Sequence, residues 1–243
     1  MTLVICACVA VLAGAVVRGY TGFGASMFWV ASLSLIYSPI SVVPTVLLLE
    51  VVASVVLLPA VFREVQWRSM SWLLAATVVT MPLGVALLSV LPAQPMRIVV
   101  AVSIFLATIS MAYGLKLAGE PGRGTALVAG SVSGLVNGST GIGGPPAVLL
   151  YFSGDTAIAA GRATLIAYFL ATDSIGFGYM ALYGLVDVPV LWHAALFAPL
   201  SLIGIGAGQL VFRRTGGSGF KRVVITVLLV LSVAIVARAT VLG

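Results

Sequence analysis

The sequence predicts an all-α polytopic membrane protein made of two inverted-topology repeats with glycine-broken helices, about 8–10 membrane segments in all. Three observations carry that prediction. Of 243 residues, 61% are hydrophobic and 7% charged, with a mean hydropathy of +1.23, whereas a soluble domain carries charge on about a quarter of its residues. The apolar runs are apolar on every side, so they read as lipid-embedded helices rather than barrel strands, which alternate. A glycine-rich interruption also occurs twice. Arg18-Gly19-Tyr20-Thr21-Gly22-Phe23-Gly24 precedes Asn137-Gly138-Ser139-Thr140-Gly141-Ile142-Gly143 by 119 positions, so Gly19, Thr21, Gly22 and Gly24 fall on Gly138, Thr140, Gly141 and Gly143. The same offset brings Thr45 onto Thr164, and farther along it drifts to 125, where Trp67 meets Trp192 and Arg97 meets Arg222.

Residues 2–17 form an apolar helix, 18–24 the first break, and 25–37 a second short run. Each run reaches roughly 20–25 Å against a hydrocarbon core of about 30 Å. They are therefore either thin spans or a hairpin that enters and leaves on one side. After a turn at Ser38-Pro39, residues 41–62 make a full span with Glu50 near its middle, and 63–68 form a charged loop. A span over 69–91, softened at Pro82 and Gly84, leads through a proline turn to the span 95–116. The first repeat is residues 1–118, a Gly/Pro/charge-rich linker covers 119–124, and the second repeat is 125–243. That second repeat runs 125–136, the break, 147–152, 157–183 with Asp173 deep inside, 190–212 and 220–241.

Charge decides the topology, because short cytoplasmic loops collect Lys and Arg. With an odd number of crossings per repeat, Arg63, Arg68, Lys116, Arg123, Arg162, Arg213, Arg214, Lys221 and Arg222 share one side, and only Arg97 and Arg238 oppose them. Both termini are then non-cytoplasmic, in a bacterial cytoplasmic (inner) membrane, and the repeats are inverted. The net charge of +6 reads as topology and lipid headgroup contact. No basic stripe interleaved with aromatics suggests nucleic acid. Cys6, Cys8 and His193 cannot make a zinc set, no cofactor or nucleotide loop is indicated, and no serine comes with a histidine base, so an enzyme is not expected. The N-terminus lacks a charged n-region and cleavage site, so the first segment is expected to remain as structure. Trp29, Trp67, Trp72 and Trp192, with Tyr37, Tyr113, Tyr151 and Tyr183, read first as an interface belt, and His193 as an anchor beside Trp192. Arg162 reads as a surface partner of Asp155.

The second break holds four glycines in the seven residues 138–144, each costing about 1 kcal/mol in a helix interior. Pro145 and Pro146 lack donors but suit a first helical turn. The N–H groups of Thr140 to Gly144 are expected to be left free, which lipid tolerates only where backbone is buried in protein or lines a polar cavity. Such a helix start attracts anions. The alternative is a tight glycine hairpin that packs two helices and binds nothing. On the first reading, backbone donors at Gly19, Thr21, Gly22, Gly24, Gly138, Gly141, Gly143 and Gly144 join the hydroxyls of Thr21, Ser139 and Thr140 and the Asn137 amide around an anion. Arg18, aligned with Asn137, adds one positive charge; otherwise it snorkels to an interface. A mid-span carboxylate costs about 2.5–3.5 kcal/mol, so Glu50 and Asp173 argue for a pair, a water cavity or proton coupling, or else for a neutral carboxyl bonded to a neighbouring helix. Thr45 and Thr164 are candidates to line the path, though bonding to their own helix is the commoner case.

The paired breaks, the Gly-Ile-Gly-Gly-Pro-Pro segment at 141–146, the Arg-Ala-Thr at 162–164 and the duplicated plan resemble the TauE/SafE family of sulfite and sulfonate exporters over nearly the whole chain. That resemblance implies a small polytopic transporter of sulfur-containing anions such as sulfite, sulfoacetate or thiosulfate. The expected function is a secondary transporter exporting such an oxyanion by alternating access, coupled to protons or membrane potential. A passive anion channel with the same glycine-break site is the alternative. The expected partners are the substrate and the lipid bilayer, and helix surfaces rich in Ala, Gly and Val permit a homodimer without requiring one.

Overall fold

A helix satisfies its backbone polarity internally, and the described residues rely on that solution. The computed structural model describes residues 2–34, 36–112, 122–152, 157–215 and 226. Among the described residues the elements are α1 (Thr2–Thr21), α2 (Ala25–Leu33), α3 (Pro39–Leu57), α4 (Trp67–Val90), α5 (Ala93–Ala112), α6 (Arg123–Thr140), α7 (Gly144–Phe152), α8 (Ile158–Leu182) and α9 (Val188–Thr215), with 3-10 turns at Leu58–Ala60 and Phe62–Glu64. The all-helical prediction holds: no strand forms among them. Five helices, α1, α3, α4, α8 and α9, are long and apolar enough to cross a membrane. The expected helix at 220–241, Tyr113, Asp155 and linker residues 119–121 lie outside the described residues, as does the Arg97 side chain.

Small residues decide which helices pair. α1 and α9 run parallel: Gly204 packs on Leu12 and Ala15, Gly208 on Val16 and Tyr20, and the Tyr20 ring meets Phe212 edge-on at 5.8 Å. α4 and α6 also run parallel, with Gly130 on Leu73, Gly134 on Thr77 and Gly138 on Met81. Without water to drive association, such contacts depend on backbones approaching closely. A Cβ at Gly19 or Gly138 would strike the carbonyl of Ile205 or Met81, so these glycines stay in helices because their neighbours occupy the missing side chain's place. α3 and α8 cross in the middle, each touching both pairs.

The two breaks are shorter than the sequence predicts. α1 continues through Thr21 and α6 through Thr140, so Gly19, Thr21, Gly138, Ser139 and Thr140 are helical rather than unwound. The turns begin at Gly22 (φ 82°) and Gly141 (φ 71°), a left-handed backbone that a side chain disfavours. Two belt assignments also change. Trp29 is fully buried, its indole N–H donating 2.9 Å to the Val11 carbonyl, and it fits because Gly14 faces it with no side chain. Tyr151 is likewise buried, whereas Trp67, Trp72, Trp192 and Tyr183 are exposed as an interface residue should be. Beside Trp192, the His193 ring packs 4.5 Å from that of Tyr37.

Candidate functional site

The C-terminal turn of α1 carries Arg18 into the protein, where it is 1% exposed. Its Nη1 donates 2.5 Å to the Gly22 carbonyl and its Nη2 2.7 Å to Ser54 Oγ, while Nη2 also lies 2.9 Å from Glu50 Oε2. The guanidinium stacks 4.9 Å from the centre of the Phe169 ring. Arg18 therefore does not snorkel: it ties α1 to its own break and to α3, with α8 as a wall. Glu50, equally buried, reaches the start of α2, where the Ser26 N–H faces its carboxylate without closing a well-aligned hydrogen bond.

Asn137 sits at the corresponding point of the second break. Its Nδ2 donates 3.0 Å to Asp173 Oδ1, and its Oδ1 accepts the Gly143 N–H at 3.1 Å. The Gly143 carbonyl accepts from Ser133 Oγ at 2.5 Å, Ser133 Oγ lies 2.7 Å from the Tyr168 hydroxyl, and that hydroxyl lies 2.8 Å from Thr77 Oγ1. One continuous polar chain thus links α4, α6, the second break and α8. Asp173 is close enough to Glu50 and Arg18 to interact with both electrostatically.

The expected free donors are largely spent inside the protein, because a buried N–H finds a partner. Gly22 N–H donates to the Arg18 carbonyl at 2.7 Å, Gly141 N–H to the Asn137 carbonyl at 2.8 Å, and Phe23 N–H to Thr21 Oγ1 at 3.2 Å. The hydroxyls of Thr21, Ser139 and Thr140 donate to Val17, Leu135 and Val136 carbonyls of their own helices. What remains around Gly24 and Gly144 are the first-turn N–H groups of α2 and α7, which no helix can pair internally. Glu50 faces the first of these helix starts. The Phe169 ring covers the second, lying 3.3 Å from where a Gly144 side chain would begin.

Thr45 and Thr164 are not brought to this centre. Thr45 Oγ1 donates to Ser41 and reaches the Val190 carbonyl at the start of α9. Thr164 Oγ1 donates to Ala160 and accepts the Gln66 N–H at the start of α4. Arg162 overturns its expected surface role: it is 2% exposed, donating from Nη2 to the Gly19 carbonyl at 2.8 Å and from Nε to the Tyr20 carbonyl at 3.3 Å, with its guanidinium 4.3 Å over the Phe212 ring. The terminal carbonyls of α1 are where a helix dipole favours a cation. Ser54, Phe169, Ser133, Tyr168 and Thr77 join the site unannounced. Ser54 alone had a signal, since it lies 119 positions before Asp173 just as Arg18 does before Asn137.

The family described as "Sulfite exporter TauE/SafE" matches residues 6–235. A protein of Cupriavidus necator named "Probable sulfite/organosulfonate exporter TauE" is 26% identical over 206 residues, covering 81% of this chain and 79% of that protein. No solved structure matches the chain. With the matched region spanning nearly all of the sequence, and with its apolar helices and paired breaks in place, this chain is an integral membrane transporter belonging to the TauE/SafE sulfite exporter family.

Proposed function

We propose that this transporter exports a small sulfur-containing oxyanion (sulfite, a sulfonate such as sulfoacetate, or thiosulfate) across the bacterial cytoplasmic membrane by alternating access. Arg18 supplies the cation, Asn137 and the helix starts at Gly24 and Gly144 supply neutral donors, and Glu50 and Asp173 couple transport to protons. The observation that carries the reading is a buried arginine at the first glycine break, held by a carboxylate rather than released to an interface. A charge placed so deep in a membrane protein marks a pathway more often than a structural prop. The name of the Cupriavidus necator relative supports the sulfite and organosulfonate class.

The inverted duplication, with repeats at 1–118 and 125–243, is supported contact by contact. Arg18 bonds Ser54 and Asn137 bonds Asp173, and both members of the second pair lie 119 positions after the first. Gly19 approaches Ile205 as Gly138 approaches Met81, and Gly208 meets Val16 and Tyr20 as Gly84 meets Leu135 and Ser139. Two bonds support opposed directions: Arg162, at the start of α8, reaches the end of α1, and Thr164 beside it reaches the start of α4. So α1 ends where α4 begins, while α6 runs parallel to α4. Paired breaks opening from opposite sides onto a shared centre are a geometry suited to alternating access. The sealed Arg18 favours a carrier over a channel. Thr45 and Thr164, near the starts of α3 and α8 and bonded to the starts of α9 and α4, are the residues we read as lining the two approaches.

Purified protein in proteoliposomes, offered sulfite, sulfoacetate, thiosulfate, sulfate and chloride with and without a pH gradient, tests this. Saturable, pH-responsive flux of a sulfur anion that is lost in Arg18→Gln is expected. Unsaturated chloride current indifferent to pH would overturn it.

A further inference from the structure

We propose that Glu50 is the resident counter-anion of Arg18, an internal competitor that a substrate oxyanion replaces only when Glu50 takes up a proton; this rests on the reading of Arg18 as the substrate's cation. The proton, on Glu50, and the anion, on Arg18, are then taken up together at one ion pair, rather than at separate proton and substrate sites.

The ion pair is close but poorly bonded. Arg18 Nη2 and Glu50 Oε2 are 2.9 Å apart, both side chains are almost fully buried, yet Arg18 Nε and both Glu50 oxygens lack a hydrogen bond of good geometry. Two buried charges are stabilising only when the remaining donors and acceptors are also satisfied. A pair built for rigidity would fill them. Here the Coulomb attraction holds while the hydrogen-bonding capacity stays open, and an oxyanion with several acceptor oxygens suits the same donors: Arg18 Nε and Nη2, the Ser54 hydroxyl and the Ser26 N–H. The surroundings of Glu50 are consistent with exchange. α1 sets Arg18 against it, α2 the Ser26 N–H, and α8 the Asp173 carboxyl, while the Phe169 ring of α8 stacks on the Arg18 guanidinium; no other described charged side chain acts on Glu50. When a proton from solvent settles on a Glu50 oxygen, Arg18 loses its partner and the incoming anion restores the charge balance. The second break cannot do this, because Asn137 is neutral and Phe169 stands where Glu50 would be on the 119-residue offset.

The test is anion binding to the purified protein, using thiosulfate and methanesulfonate, whose own charges do not change between about pH 6 and about pH 8. Wild-type affinity is expected to fall by up to about tenfold per pH unit where Glu50 titrates, with about one proton taken up per anion bound in weakly buffered solution. Glu50→Gln should bind at least about tenfold tighter than wild type at the alkaline end, with a flat pH profile and no proton uptake. Wild-type binding without proton uptake, or a Glu50→Gln variant that keeps the wild-type slope, overturns the proposal. If that variant does not stay monodisperse, proton uptake by the wild type decides alone. Should the wild type bind and transport sulfur anions without taking up protons, this inference and the proton coupling through Glu50 fall while oxyanion transport at Arg18 stands; should none of them bind at any pH, the transport reading falls with it.

Discussion

Replacing Asn137 with alanine removes both bonds that fix the second break. Buried at 3% exposure, this amide accepts the Gly143 N–H at 3.1 Å and donates to Asp173 at 3.0 Å. Truncation leaves a buried N–H and a buried carboxyl oxygen without those partners, each costing about 1–3 kcal/mol, so the sum is about 2–6 kcal/mol. At about 2–4 °C per kcal/mol for a chain of this length, that corresponds to a fall of about 4–24 °C in apparent melting temperature. Intrinsic tryptophan fluorescence of the detergent-solubilised protein reads it, because Trp29 is fully buried and emits from the core. Asn137→Asp separates the two lost bonds: it keeps an acceptor for Gly143 but sets two carboxyls together. Protonating either one relieves the repulsion, so this variant should recover stability as pH falls while Asn137→Ala does not. An Asn137→Ala protein melting within about 2 °C of wild type would refute the claim that the amide holds the break.

Other perturbations follow from the same geometry. Gly141→Val, at φ 71° with Leu47 and Val43 already against it, should abolish flux while leaving membrane insertion detectable by fractionation. Arg162→Gln removes the cation over the α1 carbonyls and should lower stability by about 1–3 kcal/mol, read as an earlier thermal transition. Asp173→Asn should flatten the pH dependence of transport rate, measured in proteoliposomes across a pH series; an unchanged profile would reduce Asp173 to a structural role.

How much of this was legible in the sequence depends on distance along the chain. The helix order, the two breaks and the three charged residues Arg18, Glu50 and Asp173 stand out locally, because glycine clusters and mid-span charges are costly in lipid wherever they occur. The extent of the breaks does not. Glycine propensity alone unwinds Gly19 and Gly138, whereas close approach of Ile205 and Met81 keeps them helical, and those contacts come from about the other half of the chain. Arg162 misleads for a related reason: at the start of a helix and seven residues after Asp155 it resembles a surface pair, but its acceptors, Gly19 and Tyr20, lie 143 and 142 positions away. The Ser133–Tyr168–Thr77 chain carries no local mark either, since isolated hydroxyls in membrane helices usually bond their own turn. Only the repeat offset reaches across such distances, and it points to Ser54.

The central claim is that Arg18 binds a sulfur oxyanion at a site exposed alternately to the two sides, and counterflow tests it most directly. Proteoliposomes loaded with unlabelled sulfite are diluted into a trace of labelled sulfite, with membrane potential and pH gradient both collapsed. The account predicts a transient accumulation of label above equilibrium in the wild type and none in Arg18→Gln. A label that rises only to equilibrium in the wild type, at a rate that does not saturate with sulfite, would contradict it and leave a channel in its place.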